Sequence, residues 1–140
     1  MRRAGYDCLF LAGCELGFGG TGGLMKTLGY RVKGARDFEK GCEKTVWGAH
    51  DFDLFEQAKL EYSRLSAAGR PFNLTLLTVD THFTKGLPDA RLKDKVAPAV
   101  PPMSHEYCVA CLITCSAISS ILSKRSRAAV KRRSSSSATT

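Results

Sequence analysis

Two short apolar runs constrain the fold of this chain more than any other feature of its sequence. YDCLFLAG at residues 6–13 and FNLTLLTV at residues 72–79 carry apolar side chains at neighbouring positions, so both faces of each segment are largely apolar. Strands of that kind are buried on both sides, as in parallel sheets covered by helices. YRVKG at residues 30–34 predicts a further short strand. We therefore expect a parallel sheet in which residues 72–79 form the central strand.

Two helices are predicted between these strands. LMKTLG at residues 24–29 can form a short helix after the glycine-rich loop GFGGTGG at residues 17–23. Within residues 51–68, apolar side chains recur at steps of three and four, which is the spacing of one buried helical face. These side chains are Phe55, Ala58, Tyr62 and Leu65. Asp51 can cap this helix and Gly69 can end it. The order β-α-β-α-β predicts an α/β fold, with helices flanking a partial parallel sheet.

Basic residues are concentrated near the C-terminus. The 140 residues carry a formal net charge of +8, but residues 1–94 hold 14 Lys and Arg against 12 Asp and Glu, whereas residues 95–140 hold 7 against 1. Residues 124–140 have too little apolar surface to offset the entropy of ordering, so they predict a disordered basic tail. Such a tail could contact nucleic-acid phosphates. It has no aromatic side chain to stack on bases, however, so no nucleic-acid partner is expected.

The six cysteines leave two interpretations open. CVACLITC at residues 108–115 offers three thiols which, with His105 as a fourth ligand, could bind zinc. Structural zinc sites usually take ligand pairs from separate turns, and no matching pair is found elsewhere in the sequence. Small apolar filler is therefore the favoured interpretation of these cysteines.

Three regions follow from these patterns. Residues 1–103 predict a folded domain, residues 104–123 an apolar segment rich in Cys and Ser, and residues 124–140 the disordered tail. The apolar run of residues 108–122 is shorter than the ~20 residues that a membrane-spanning helix needs. The N-terminal sequence also lacks the long apolar stretch of a signal peptide. From these patterns alone we expect a cytoplasmic chain.

Polar side chains follow the strand at residues 72–79. Asp80, Thr81 and His82 stand where the carboxyl end of a parallel strand opens into a ligand-binding crevice. Asp80 and His82 could form a metal pair, since alternate strand residues share a face, but two ligands alone make an incomplete site. The glycine-rich loop can be aligned with the G-x-G-x-x-G pattern of nucleotide-binding proteins. That match is weak because a loop with five glycines fits many patterns.

The segment WGAHDFD at residues 47–53 predicts structural roles. Trp47 is expected to pack ahead of the helix, and His50 to be exposed. Asp51 and Asp53 favour the positive end of the helix dipole. Neither carboxylate is expected to be catalytic.

Longer stretches of the sequence resemble a known family. GFGGTGGLMKTLGYRVKGARDF, followed by WGAHDFDLFEQAKLEYSRLSAAGRPFNLTLLTVDTHFTKGLPDAR, is similar to the middle of phosphoglycerol transferases of the lipoteichoic acid synthase and osmoregulated glucan type. These enzymes belong to the sulfatase and alkaline phosphatase superfamily. The resemblance covers roughly residues 6–103. Its most specific parts are the pattern W-G-x-x-D-x-x-L-F and the strand that ends in L-T-V-D-T-H.

The resemblance implies a fragment of the alkaline phosphatase and sulfatase fold, taken from a membrane-anchored enzyme of the inner membrane. The periplasmic domain of such an enzyme transfers phosphoglycerol from a lipid donor to a glycan or polymer. It uses a Thr nucleophile and a divalent metal, commonly manganese, held by Glu, Asp and His. In the family these groups lie before and after the part that corresponds to this chain. The resemblance therefore assigns the chain no catalytic residue and no metal ligand, and it predicts no turnover by the chain alone.

One functional residue carries over from the family. His82 matches the histidine that contacts the phosphoglycerol group, whereas the alternative is a histidine that only closes the strand end. Thr21 stands where the family places a basic, phosphate-contacting residue in the glycine-rich loop, so a charge-assisted bond is lost. Beyond Met103 the sequence departs from the family pattern. Three hypotheses result: a partial phosphoglycerol transferase, a non-catalytic binding module, and a basic nucleic-acid-binding protein.

Overall fold

The computed structural model contains a three-stranded parallel sheet with helices on both faces. The strands are β1 (Asp7–Ala12), β2 (Arg31–Lys33) and β3 (Phe72–Leu77), and their order in the sheet is β2-β1-β3. The α/β fold with a partial parallel sheet is therefore confirmed. The structure describes residues 5–82, 85–96, 98–101 and 104–117.

The central strand is β1, so the expectation that residues 72–79 form the central strand is wrong. Residues 8–12 of β1 are buried, whereas every residue of β3 is only half-buried. Within the described residues, β3 pairs with β1 alone and lies at the edge of the sheet. The sequence accounts for the difference, because β1 is apolar from Cys8 to Ala12 while β3 includes Asn73 and Thr75. The carboxamide oxygen of Asn73 accepts hydrogen bonds from Tyr30 and Thr75 at the sheet surface.

Two apolar clusters cover the faces of β1. Leu9 and Leu11 pack with the long helix α2 (Asp51–Ala67), while Phe10 and Ala12 face the opposite side together with Val79. The alternation follows from the two-residue period of a strand.

The first helix, α1 (Thr21–Thr27), begins three residues earlier than predicted. A 3₁₀ turn at Phe18–Gly20 precedes it, and both Gly19 and Gly20 have positive φ, which explains the run of glycines. The backbone of Gly22 packs closely against that of Leu16, since a Cβ at Gly22 would lie 2.7 Å from the carbonyl oxygen of Leu16.

The helix α2 buries a face slightly rotated from the predicted one. Ala58 and Leu65 are buried as expected, but Phe55 and Tyr62 are only half-buried. The remaining buried positions of the helix are Asp51, Leu54, Gln57 and Glu61. Three of these four are polar, so a periodicity of apolar residues could not reveal this side of the helix. Gly69 ends the helix with a φ of +67°, as predicted.

A third helix, α3, covers residues 105–117 and packs on a 3₁₀ segment at Ala90–Lys95. The three thiols of this helix, Cys108, Cys111 and Cys115, are buried. Burial raises the pKa of Cys115 to about 12. Cys111 and Cys115 pack in one apolar cluster with Leu92, Val96 and Tyr107, which agrees with a packing role for these side chains.

None of the helices in the described ranges has both the length and the apolar character needed to cross a membrane. The predicted tail at residues 124–140 lies outside the described residues. The predicted division of the chain into three regions stays a prediction.

Candidate functional site

The carboxyl ends of β1 and β3 meet at one edge of the sheet, as parallel strands require. The amide of Gly13, just after β1, donates to the carbonyl of Leu77 at the end of β3. The turn that follows β3 reaches the first residues of α2. This edge carries the polar side chains that the sequence predicted there.

Two aspartates lock the turn after β3 to the start of α2. Asp80 accepts one hydrogen bond from Nδ1 of His50 and another from the backbone amide of Asp51, each at 2.9 Å. In return, Oδ1 of Asp51 accepts from the amide of Val79 at 2.7 Å. Asp51 and Asp80 are each only 1% exposed. We call His50, Asp51, Val79 and Asp80 together the aspartate clasp.

The clasp corrects two expectations. His50 was expected to be exposed, but it is 8% exposed and bonded to Asp80. Asp51 was expected to cap α2, but it is the first residue of the helix, and its side chain bonds the turn after β3. The physical reason is the same in both cases. The first turn of α2 packs against the sheet edge, where Asp80 replaces an ordinary cap as acceptor for a free amide.

The charges in the clasp are not balanced. The hydrogen bond to Asp80 raises the pKa of His50, which favours an imidazolium beside the carboxylate. Burial raises the pKa of Asp51 to about 6. The second oxygen of Asp51, Oδ2, is buried and has no hydrogen-bond partner among the residues that the structure describes. An unpartnered buried carboxylate oxygen is costly, and such groups mark strained or functional places.

A cluster of possible metal ligands lies beside the clasp. Single ligand atoms of His50, Asp80 and Asp89 lie within 4.8 Å of one another, and all three residues are buried. Imidazole nitrogen and carboxylate oxygen are suitable ligands for Mn²⁺ or Zn²⁺. Residues of this kind are therefore present in the chain, although no sequence motif indicates that they would meet.

The bonding of this cluster does not fit a resident metal ion. Arg91 binds the carboxylate of Asp89 through Nη2 at 2.7 Å and through its own amide at 2.9 Å. The same guanidinium also pairs with Asp53 at 3.0 Å. Burial acts to raise the pKa of Asp89, but the bonds from Arg91 outweigh it and lower that pKa. A protein cation thus already neutralises the carboxylate that a metal would need.

The predicted binding residue, His82, lies at the surface next to two aromatic rings. Its imidazole stacks on Trp47, with 4.2 Å between ring centroids and an interplanar angle of 29°. Phe18, in the glycine-rich loop, contacts both rings edge-on at 5.4 Å from Trp47 and 6.5 Å from His82. His82 is exposed. His82 therefore lies beside the glycine-rich loop and is open to solvent, whereas its role in binding phosphate stays a prediction.

The backbone around Trp47 explains why a glycine follows it. Thr45 and Gly48 close a tight turn with Trp47 inside it, and the hydroxyl oxygen of Thr45 accepts from the amides of Trp47 and Gly48 at 3.1 Å. A Cβ on Gly48 would lie 2.1 Å from the carbonyl oxygen of Gly13, so no other residue fits there. Trp47 was predicted to pack ahead of α2. It is half-buried in the cluster around Phe10, and it also stacks on His82.

The turn that carries His82 is held by backbone bonds. The amide of His82 donates to Val79, and those of Gly86 and Leu87 donate back to His82 and Asp80. The suggested metal pair of Asp80 and His82 is not formed as such, because Asp80 is buried in the clasp while His82 is exposed.

His105, the suggested fourth zinc ligand, differs in exposure from the thiols of α3, which are buried. It is exposed, and its Nε2 lies 3.0 Å from the carbonyl oxygen of Thr81. This contact ties α3 to the turn after β3.

No protein-family model matches the chain. It is similar, however, to proteins named phosphoglycerol transferase I. The identity is 33% over 91 residues with the protein of Xanthomonas campestris pv. campestris, and 31% over 91 residues with that of Salmonella arizonae. Each match covers 61% of this chain but only 13% and 12% of those relatives. The chain thus matches a small part of a much longer protein.

Two solved structures share the fold. The lipoteichoic acid synthase LtaP from Listeria monocytogenes matches with a TM-score of 0.66 at 15% identity, covering 92% of this chain and 32% of that one. A protein of the alkaline phosphatase superfamily from Vibrio parahaemolyticus matches with a TM-score of 0.66 at 22% identity, covering 90% and 30%. Over 61% of its length the chain is therefore a distant homologue of phosphoglycerol transferase I, and it has part of the fold of the alkaline phosphatase superfamily.

Proposed function

We propose that this chain is the substrate-side part of a phosphoglycerol-transferase-like domain and binds a phosphate ester through His82. The reaction of the complete domain would transfer phosphoglycerol from a lipid donor to a glycan of the cell envelope. The observation that carries the proposal is the exposed imidazole of His82 on Trp47, at the carboxyl edge of a parallel sheet, in a homologue of phosphoglycerol transferase I.

The chemistry of the site suits a phosphate ester. An imidazole donates a hydrogen bond to a phosphate oxygen and carries a charge when protonated. Stacking on Trp47 fixes the plane of the ring, so the loss of side-chain entropy on binding is reduced. The carboxyl edge of parallel strands is also the usual place for ligands in α/β folds.

Catalysis would need groups from elsewhere in the domain. The family resemblance implies a Thr nucleophile and a divalent metal, which would activate that nucleophile and offset the charge of the phosphate. The triad of His50, Asp80 and Asp89 does not supply this metal site, because Arg91 already binds Asp89. In this proposal the chain binds and orients the ester, and it carries out no chemical step by itself.

Titration with sn-glycerol 3-phosphate tests the binding role. We expect the imidazole NMR signals of His82 to shift in a saturable manner, and the His82→Gln variant to lose the response. His105→Gln is the matched control, because it removes another exposed imidazole that contacts the same turn. Shifts that survive His82→Gln, or that glycerol reproduces at equal concentration, would refute the role of His82.

An activity assay tests whether the chain carries out a chemical step by itself. With manganese present, the chain should hydrolyse aryl phosphates no faster than a blank, because no residue assigned to it acts as nucleophile. Metal-dependent turnover that persists through repurification, and that is lost in a variant of the chain, would overturn this part of the proposal.

A further inference from the structure

A cleft adjoins the stacked rings of Trp47 and His82. Trp47 and Phe18 form part of its wall, and its volume is about 320 Å³. That volume lies at the lower end of the roughly 300–1,000 Å³ range typical of small-molecule sites. The two aromatic side chains are therefore shared between the cleft and the ring stack.

The polar groups of the cleft favour an anion. Arg36 lines the cleft but is paired with Glu15, with 2.9 Å between Nε and Oε1. Lys44 also lines it and has no ion-pair partner among the described residues. The hydroxyl of Thr45 accepts two backbone amides, which leaves its hydrogen free to donate. The cleft thus has one ammonium in excess and a hydroxyl donor beside it.

The position of these donors follows from the turn that holds Trp47. Lys44 pairs with Ala49 in an antiparallel bridge at the base of this turn, and Thr45 closes the turn by its side chain. The same short segment therefore presents an aromatic ring, a cation and a hydroxyl at one edge of the sheet. Thr21, by contrast, supplies no charge from the glycine-rich loop.

We propose that Lys44 and Thr45 bind the phosphate group of the ester at the rim shared by the cleft and the His82–Trp47 stack. Lys44 then supplies the positive charge that Thr21 cannot supply. The inference rests on the proposed function, since the ester is the one that His82 contacts. The shared chemistry is a phosphate ester of a short polyol, either free in solution or as a lipid headgroup.

The fluorescence of Trp47 measures this binding directly, because it is the single tryptophan of the chain. With sn-glycerol 3-phosphate at fixed ionic strength, Lys44→Gln should raise the Kd about threefold to tenfold, as expected for one charge-assisted hydrogen bond at a partly exposed site. Lys44→Arg should restore most of the affinity. Lys93→Gln removes a charge from another exposed lysine and should leave the Kd unchanged.

The variants separate this inference from the proposed function. If His82→Gln abolishes binding while Lys44→Gln binds like the unmodified chain, the cleft inference is wrong and the role of His82 stands. If Lys44→Gln weakens binding and His82→Gln does not, the cleft binds the ester and the role of His82 is wrong. If the unmodified chain shows no saturable response either to sn-glycerol 3-phosphate or to lipid vesicles, the cleft inference and the role of His82 are both wrong.

Lipid vesicles distinguish a phosphate ester that is free in solution from one that is a lipid headgroup. Phosphatidylglycerol vesicles are compared with phosphatidylserine vesicles of equal charge, because basic residues 124–133 would respond to both. A Trp47 response specific to phosphatidylglycerol and weakened by Lys44→Gln supports the proposal, with a headgroup as the ligand. A specific response that Lys44→Gln leaves unchanged overturns it.

Discussion

Buried carboxylates occur in two regions of this small fold, and their surroundings differ. Glu61, on α2, accepts from Nζ of Lys33 at 2.6 Å and from Nε2 of Gln57 at 3.0 Å. Arg64 joins it to Glu39 in an ion-pair network at the side of the helix. In the clasp, one carboxylate oxygen of Asp51 has no hydrogen-bond partner within the described part of the chain.

The difference separates a structural network from a candidate site. Every bond at Glu61 stays within the network, and no exposed aromatic or imidazole ring adjoins it in the contacts described. The clasp instead holds the turn that presents His82 and the helix start next to Trp47. Burial of charge alone is therefore a poor sign of function. An incompletely satisfied carboxylate beside an exposed stacked imidazole is more informative.

The largest expected effect is the fall in stability when Asp80 is removed, and it tests whether the clasp stabilises the fold. Asp80→Ala leaves Nδ1 of His50 and the amide of Asp51 without their acceptor. Removing one partner of a buried charged pair costs about 3–5 kcal/mol of unfolding free energy. Urea unfolding measures it, and Asp94→Ala, at an exposed position, is the matched control. A loss no larger than that of the control would mean that the clasp does not stabilise the fold.

The pH dependence of stability should have opposite signs in the two regions. Burial raises the pKa of Asp51 to about 6, so the folded state binds this proton more tightly than the unfolded state. Stability from this group therefore falls as the pH rises from about 4 to 6, where the ordinary value is about 3.9. The bond from Arg64 lowers the pKa of Glu39 to about 2, so its contribution is present above pH 4.5 and is lost on further acidification.

Asp51→Asn isolates the first of these two slopes. The amide oxygen can still accept from Val79 but cannot ionise, so the variant should gain about 1–3 kcal/mol at pH 7.5, as expected for a shift of about two pKa units. It should also lose the slope between pH 4 and 6. Chemical denaturation across this range measures both effects. A variant that is destabilised at pH 7.5 and keeps the slope would show that another group titrates there.

The sequence predicted the fold through its local patterns. The runs that became β1 and β3, the apolar spacing of α2 and the terminating Gly69 all act within a few residues, so they can be recognised without coordinates. Which strand is central could not be predicted with the same certainty. That depends on how many polar residues each sheet position tolerates, and the polar Asn73 and Thr75 suit β3 to the edge of the sheet.

The candidate site was predicted only in part. The position of His82 at the carboxyl end of a parallel strand was predicted, but the clasp joins residues about 30 positions apart, and no motif links them. The pairing of Arg91 with Asp89 and Asp53 was missed for the same reason. Lys44 was missed because an isolated lysine in a loop has no sequence signature.

The smallest expected effect concerns metal at the triad. A ligand that binds the folded state stabilises it by RT ln(1 + [L]/Kd), so Mn²⁺ should leave the melting temperature unchanged if Arg91 occupies the carboxylate of Asp89. Arg91→Ala frees that carboxylate and exposes the triad to a cation, so the variant alone should be stabilised by Mn²⁺, by about 1.4 kcal/mol at a tenfold excess over its Kd. Lys95→Ala is the control, since it removes a neighbouring cation that contacts Phe52 but not Asp89. Differential scanning calorimetry with and without EDTA distinguishes the cases. Stabilisation of the unmodified chain by Mn²⁺ would show that the triad binds metal despite Arg91. The region around the aspartate clasp would then be a metal site.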